Sequence, residues 1–234
     1  MGGRLSPPAD PVAAAPSAHP ADRGLARDLL APAPVAAARL LGCHLGADSP
    51  EGTVTVRITE VEAYAGEADP ASHAARGRTP RTSVMYGPPG VSYVYFSYGV
   101  HWCLNIVTGP AGTASAVLVR GGEVVAGAAV AASRRPPGTP AGGLARGPGC
   151  LAQALGLGAT ARGVDLLAPG SPVRLTDRTV APAAEAGPRV GVSAAADVRW
   201  RFWVPGEPSV SAYRRSPRAP RGHVEVEPEA PLPD

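Results

Sequence analysis

Two carboxylates two residues apart, Glu60 and Glu62, stand in the run TVTVRITEVEAY, where Val54, Val56 and Ile58 are apolar at alternate positions. Strand side chains alternate between faces, so Val54, Val56, Ile58, Glu60, Glu62 and Tyr64 share one side. Thr53, Thr55, Arg57 and Thr59 share the other. The apolar members make the even side the core-facing one, which carries Glu62 and Tyr64 to the interior rim. A carboxylate there costs several kcal/mol unless it is paired, hydrated or used in chemistry. Three readings stay open: a buried pair with an arginine, one catalytic carboxylate, or two acids about 6.5 Å apart, a separation found in inverting glycosidases. The last is weakened because both acids would lie on one side of a sugar instead of flanking it.

Aromatic residues make up 5% of the chain, yet Tyr64, Tyr86, Tyr93, Tyr95, Phe96, Tyr98 and Trp102 all fall between positions 64 and 102. Tyrosines at strand spacing often serve as core or cross-strand packing. Buried phenolic hydroxyls need partners, however, and four tyrosines beside a histidine and an asparagine form a polar-edged box suited to stacking a base. Arg76, Arg78 and Arg81 in ARGRTPRTS suit either phosphate contacts or a solvated loop. The turn before Leu151 opens a helix whose free N–H groups suit a phosphate. The string GLGATA at 156–161 follows a helical run with no strand before it and carries little weight as a dinucleotide fingerprint.

The elements that must position these residues follow from periodicity and punctuation. A helix is expected through Leu25–Leu41, interrupted near Pro32 and Pro34 and closing at Gly42. After the strand at 53–64, GPPG at 87–90 marks a turn into a hairpin with strands 91–97 and 100–107. Tyr98 and Gly99 form its tip. A buried strand at 114–120 leads into an Ala/Val-rich helix. Its apolar stretch Val124–Ala132 falls far short of the ~20 residues that span a bilayer. A loop at 136–143, a helix opening at GPGCLAQALGL and strands near 173–175 and 199–204 complete the pattern. One domain over residues 23–213 is expected, with a disordered tail at 1–22 and a flexible tail at 214–234, basic and then acidic. No secretion signal is read at the start, so a cytoplasmic location with no membrane association is expected.

Cys43, Cys103 and Cys150 are odd in number and form no CxxC pair, while His19, His44, His73, His101 and His223 show no metal-binding spacing. Neither metal nor cofactor is expected. The net charge of +3 suits a polyanionic partner without singling one out. All 22 basic residues are arginine, so no lysine amine exists to form a Schiff base with a sugar aldehyde. Lyase chemistry would fall to the N-terminal amine alone.

The segments ITEVEAYAGEADPASH, MYGPPGVSYVYFSYGVHWCLNIV, VLVRGGEVVAG, GPGCLAQALGL and RVGVSAAADVRWRFWVPGEPSVS resemble, in order and spacing, the alkyladenine (3-methyladenine) DNA glycosylase family. The resemblance implies a single α+β domain: a curved, mainly antiparallel sheet flanked by helices, with a protruding β-hairpin. It also implies a monomeric, monofunctional DNA glycosylase acting on double-stranded DNA that contains damaged purines. In that case Glu62 activates water, Arg120 helps hold it, and Val190 offers a backbone carbonyl to it. Tyr64, His73 and Tyr95 sandwich the flipped base, Asn105 discriminates against the exocyclic amine of guanine, and Tyr93 supports the box. Tyr98 becomes the wedge that fills the gap in the duplex. Glu60 is then left as the structural carboxylate. Three departures stand out: the Gly121–Gly122 pair after Arg120, Cys150 in place of a more polar residue, and the lack of Lys-Pro near Trp200.

Overall fold

A computed structural model describes residues 20–220, so the parts of the two expected tails at 1–19 and 221–234 lie outside the described residues. The chain begins with α1 (Pro20–Leu29), which starts ahead of the domain boundary expected at residue 23, and α2 (Ala33–Leu40). The expected long helix is two helices because Pro32 and Pro34 break it, Pro32 acting as N-cap of α2. In α2, Ala33, Ala36, Ala37 and Leu40 repeat at helical spacing and are buried, which fixes the face turned to the core.

Eight strands form one sheet: β1 (His44–Ala47), β2 (Val54–Tyr64), β3 (Ser92–Ser97), β4 (His101–Val107), β5 (Ala116–Ala126), β6 (Val173–Thr176), β7 (Glu185–Gly187) and β8 (Arg201–Trp203). Their order is β3-β4-β5-β2-β1-β6. The start of β2 pairs with β1 and its end with β8, which in turn pairs with β7. All these pairings are antiparallel, and the sheet is curved, giving a mixed α+β domain. Among the described residues, two more α-helices, α3 (Ala128–Ser133) and α4 (Pro148–Leu155), and four short 3-10 helices accompany the sheet. Buried residues of α2 and α4 share a single core cluster with Val61, Ala63, Val94, Leu104, Ile106, Val117 and Val119 from the strands.

The ladder between β2 and β5 overturns the expected strict alternation. Ile58 pairs with Gly122, Glu60 with Gly121 and Val61 with Val119, so Thr59 on one strand and Arg120 on the other are extra residues. Each strand therefore changes parity at this point. The core cluster takes Val54, Val56 and Ile58 before the irregularity and Val61 and Ala63 after it. Glu62 and Tyr64 are thus not on the apolar core face, as uniform alternation had placed them, but on the opposite one. The Gly121–Gly122 pair has its reason here. A Cβ on Gly121 would lie 2.6 Å from the Ser209 carbonyl oxygen.

The stretch Val124–Ala132 also corrects the expectation of one buried helix. The strand β5 continues to Ala126 because its ladder with β2 holds as far as Thr55. Gly127, at φ 74°, then turns the chain into α3, and a Cβ there would meet the Thr53 carbonyl oxygen at 2.2 Å. Strands β3 and β4 join through the three residues Tyr98–Val100, one more than the two-residue tip expected. Beyond Tyr213, residues of the expected C-terminal tail are tied back to the domain: Gly191 N–H donates to the Arg214 carbonyl at 2.9 Å, and Arg215 pairs with Asp197 at 2.5 Å.

Candidate active site

With the apolar side of β2–β5 sealed by helices, the side chains of the opposite parity open onto a pocket of about 580 Å³. That lies within the ~300–1,000 Å³ of small-molecule sites. The strand β3 contributes Tyr93 and Tyr95, β4 contributes Cys103 and Asn105, and β5 contributes Leu118 and Arg120. The 65–86 segment crosses this side and brings His73, Arg81 and Met85, while the loop before β8 brings Val190. Tyr98 stands at the rim in a left-handed conformation, φ 49°, and is 94% exposed. A non-glycine residue held in that region is strained, and an exposed ring there has no structural partner to stabilise it.

Glu62 lies directly behind the pocket wall and is fully buried. Three donors converge on its carboxylate: the Tyr64 hydroxyl on Oε2 at 2.8 Å, the Val190 N–H on Oε1 at 2.7 Å, and Arg120 Nη1 at 3.4 Å from Oε1. Burial and the neighbouring Glu62 push the Tyr64 hydroxyl well above its ordinary pKa, so it remains a donor. Burial works against the charge of Arg120, but the carboxylates of Glu62 and Glu60 more than offset it and raise its pKa. Glu60 faces a different set of partners. It accepts from Arg120 Nε at 2.9 Å, from Arg201 Nε at 2.7 Å, and from the Ser211 amide and hydroxyl at 2.7 and 2.9 Å.

The aromatic box is built from β3 and the segment that covers it. His73 and Tyr95 meet edge to face at 4.6 Å between ring centroids, and Tyr93 and Tyr95 are tilted at 5.5 Å. Arg81 Nη2 is 3.4 Å from His73 Nε2. Since a guanidinium only donates, Nε2 accepts and Nδ1 carries the proton, which it donates to the Tyr93 oxygen at 3.2 Å. His73 is solvent-accessible at the open pocket. Burial of its other sides, and then the charge of Arg81, lower its pKa to about 4, so the imidazole is neutral. Burial and the adjacent Cys103 push the Tyr95 hydroxyl upward. Asn105 is buried and donates from Nδ2 to the Tyr93 carbonyl at 3.0 Å, which fixes the plane of its amide against the pocket.

Of the residues singled out in the sequence, Tyr64, His73, Tyr93, Tyr95, Tyr98, Asn105, Arg120 and Val190 line the pocket, and Glu62 bonds to three of them. Val190 meets Glu62 through its N–H, whereas the expectation concerned its carbonyl. Arg81, grouped with Arg76 and Arg78 as phosphate-tracking, instead lies over the Tyr95 ring at 5.2 Å and lines the pocket.

Sequence reasoning missed the buried pair Asp69–Arg189. Arg189 Nη2 donates to Asp69 Oδ1 at 2.9 Å and Nη1 to the Ala63 carbonyl at 3.0 Å, and the guanidinium stacks over Tyr64 at 4.8 Å. Asp69 in turn accepts the Ala71 N–H at 3.0 Å. This pair ties the segment leading to His73 onto the end of β2 and holds Val190 beside Glu62. Its only sequence signal was adjacency to Val190. Among the described residues no group of three or more His, Cys, Asp or Glu side chains is placed to hold a metal ion.

Comparison with known proteins bears on what such a pocket serves. The family model described as methylpurine-DNA glycosylase matches residues 27–208. A Nocardia farcinica protein named "Putative 3-methyladenine DNA glycosylase" is 54% identical over 200 residues, covering 82% of this chain and 92% of its own. Proteins of the same name from Mycobacterium tuberculosis and Corynebacterium glutamicum are 50% and 46% identical, covering 80% and 82% of this chain and 93% and 98% of their own. A match of this extent, running through every strand that builds the pocket, means that the chain belongs to the methylpurine-DNA glycosylase family and is a DNA N-glycosylase of repair.

Proposed function

We propose that the protein hydrolyses the N-glycosidic bond of alkylated or deaminated purines flipped out of double-stranded DNA, leaving a free base and an abasic site without cutting the strand. The observation that carries this reading is Glu62: a fully buried carboxylate behind an aromatic pocket, held by Tyr64, Val190 and Arg120. The Tyr93–Tyr95–His73 box offers π faces to the base. An alkylated purine is cationic and gains further from such faces. The exposed, strained Tyr98 at the turn between β3 and β4 fits the wedge that occupies the gap in the duplex.

In the reaction, the oxygen of a water attacks C1′ of the deoxyribose while the C1′–N bond breaks and its electron pair passes to the base. Glu62 takes the proton from the water and faces the positive charge that develops on the sugar. Since Glu62 is fully buried, the water reaches Oε2 by replacing the Tyr64 hydroxyl. Arg120 Nη1, 3.4 Å from Oε1, and the Val190 N–H hold the other oxygen of the carboxylate and so aim Oε2 at that water. An alkylated purine leaves as a neutral base with no added proton. Hypoxanthine needs protonation, and His73, with a pKa of about 4, is not in its cationic, acidic form near neutral pH. Alkylated purines are therefore released faster. The absence of lysine removes the usual amine for strand cleavage by a Schiff base.

The test measures released bases and alkali-labile sites on alkylated and inosine-containing duplexes. Wild type releases base, and Glu62→Gln binds the same duplex but releases base about 10²–10⁴-fold more slowly. A wild-type protein that binds alkylated duplex and releases no base overturns the reading in favour of a non-catalytic binder that stacks a base.

A further inference from the structure

Glu60 takes no part in the reaction just described, yet four donors converge on it and it is fully buried. Two charges of each sign, Glu60, Glu62, Arg120 and Arg201, lie together where both strands of the β2–β5 ladder are irregular. Within this cluster Arg120 is anchored twice on the side away from the pocket. Its Nε donates to Glu60 at 2.9 Å and its Nη2 to the Ser211 hydroxyl at 3.2 Å. Arg201 grips the same assembly from β8, donating from Nε to Glu60 and from Nη2 to the Ser211 carbonyl at 2.6 Å. One nitrogen of Arg120 remains for Glu62.

We infer that Glu60, held by Arg201 and Ser211, is a positioning residue for base release: it fixes the guanidinium of Arg120 so that Nη1 alone meets Glu62. A planar guanidinium released from Glu60 turns two of its N–H groups onto the nearest carboxylate, because the bidentate arrangement is the stronger one. Here that carboxylate is Glu62. Both oxygens would then be occupied by arginine, and the water would lose its acceptor. Glu60 thus acts on the chemical step through Arg120 and not on DNA binding, since it contacts neither the pocket nor the surface. This inference rests on the glycosylase reading.

The experiment pairs single-turnover base release from alkylated duplex at saturating enzyme with binding to a duplex carrying an uncleavable abasic analogue. Glu60→Gln keeps the shape and removes the charge. It is expected to slow release about 10- to 100-fold and to leave Kd within about 2-fold of wild type. A folded variant that releases base at the wild-type rate overturns the inference, as does one that loses binding and release in proportion. Where Glu60→Gln fails to fold by thermal melting, Ser211→Ala decides, because it removes the hydroxyl shared by Arg120 and Glu60. It is expected to slow release about 2- to 10-fold with unchanged Kd, and an unchanged rate overturns the inference. A wild-type protein that releases no base overturns the preceding reading instead.

Discussion

The two faces of the central strands are built on opposite principles although adjacent residues supply them. On one face, Val61, Ala63, Val94, Leu104, Ile106, Val117 and Val119 are all no more than 1% exposed and belong to one apolar cluster. Burying each large side chain there contributes about 1.5–3 kcal/mol. On the other face, Glu62, Tyr64, Asn105 and Arg120 must each find a polar partner, and every buried charge costs several kcal/mol before pairing. One face therefore supplies stability. The other consumes it to hold groups in positions that water would not allow. The paired irregularity at Thr59 and Arg120 allows both faces to be served by the same strands, because it resets which parity faces the helices.

The largest expected effect comes from breaking the buried pair on the polar side. Arg189→Met leaves Asp69 buried and unpaired and should cost about 3–5 kcal/mol in denaturant unfolding. Base release should fall further than the unfolded fraction explains, because the His73 segment and Val190 lose a common anchor. A loss under about 1 kcal/mol would show that the polar face is held by packing alone. Leu104→Ala probes the opposite face. It should cost about 2–5 kcal/mol through lost burial and a cavity, yet release per folded molecule should stay within about 2-fold of wild type. Slower chemistry from that variant would show that the two faces are not separable.

How far this division could be read in the sequence depends on the range of the forces involved. Strand β2, the β3–β4 pair and α4 were legible because alternation, GPPG and the Gly-Pro helix start are local signals. The four-residue β1 and three-residue β7 were not anticipated, since each is too short to show a period and exists through its partners. The Val/Ala stretch after Arg120 suits helix or strand equally by composition, and only the ladder to β2 decides it. For the site, the ordered motifs pointed to Glu62, Tyr64, Tyr95 and Asn105, but on an alternation that the ladder irregularity breaks. Asp69 and Arg189, or Glu60 and Ser211, meet across more than a hundred residues. No spacing rule announces such a meeting.

The smallest expected effect tests the rim of the polar face, where solvent weakens each charge. His73 has a pKa of about 4, lowered by burial first and by Arg81 second. The folded protein thus binds this proton less readily than the unfolded chain, whose histidine titrates near 6.5. The sign follows: stability attached to His73 is intact above about pH 6.5 and is lost as pH falls from there towards 4. Arg81→Gln removes the second cause and leaves the first, so the pKa of His73 should rise part of the way towards 6.5 and the window of loss should narrow. An NMR titration of the imidazole reads this directly, and a value still near 4 would assign the shift to burial alone. Because wild-type His73 is neutral throughout pH 5–8, it presents no cation against a positively charged purine. Arg81→Gln also takes the permanent charge of Arg81 out of the pocket, so release of alkylated bases should change by less than for Arg189→Met.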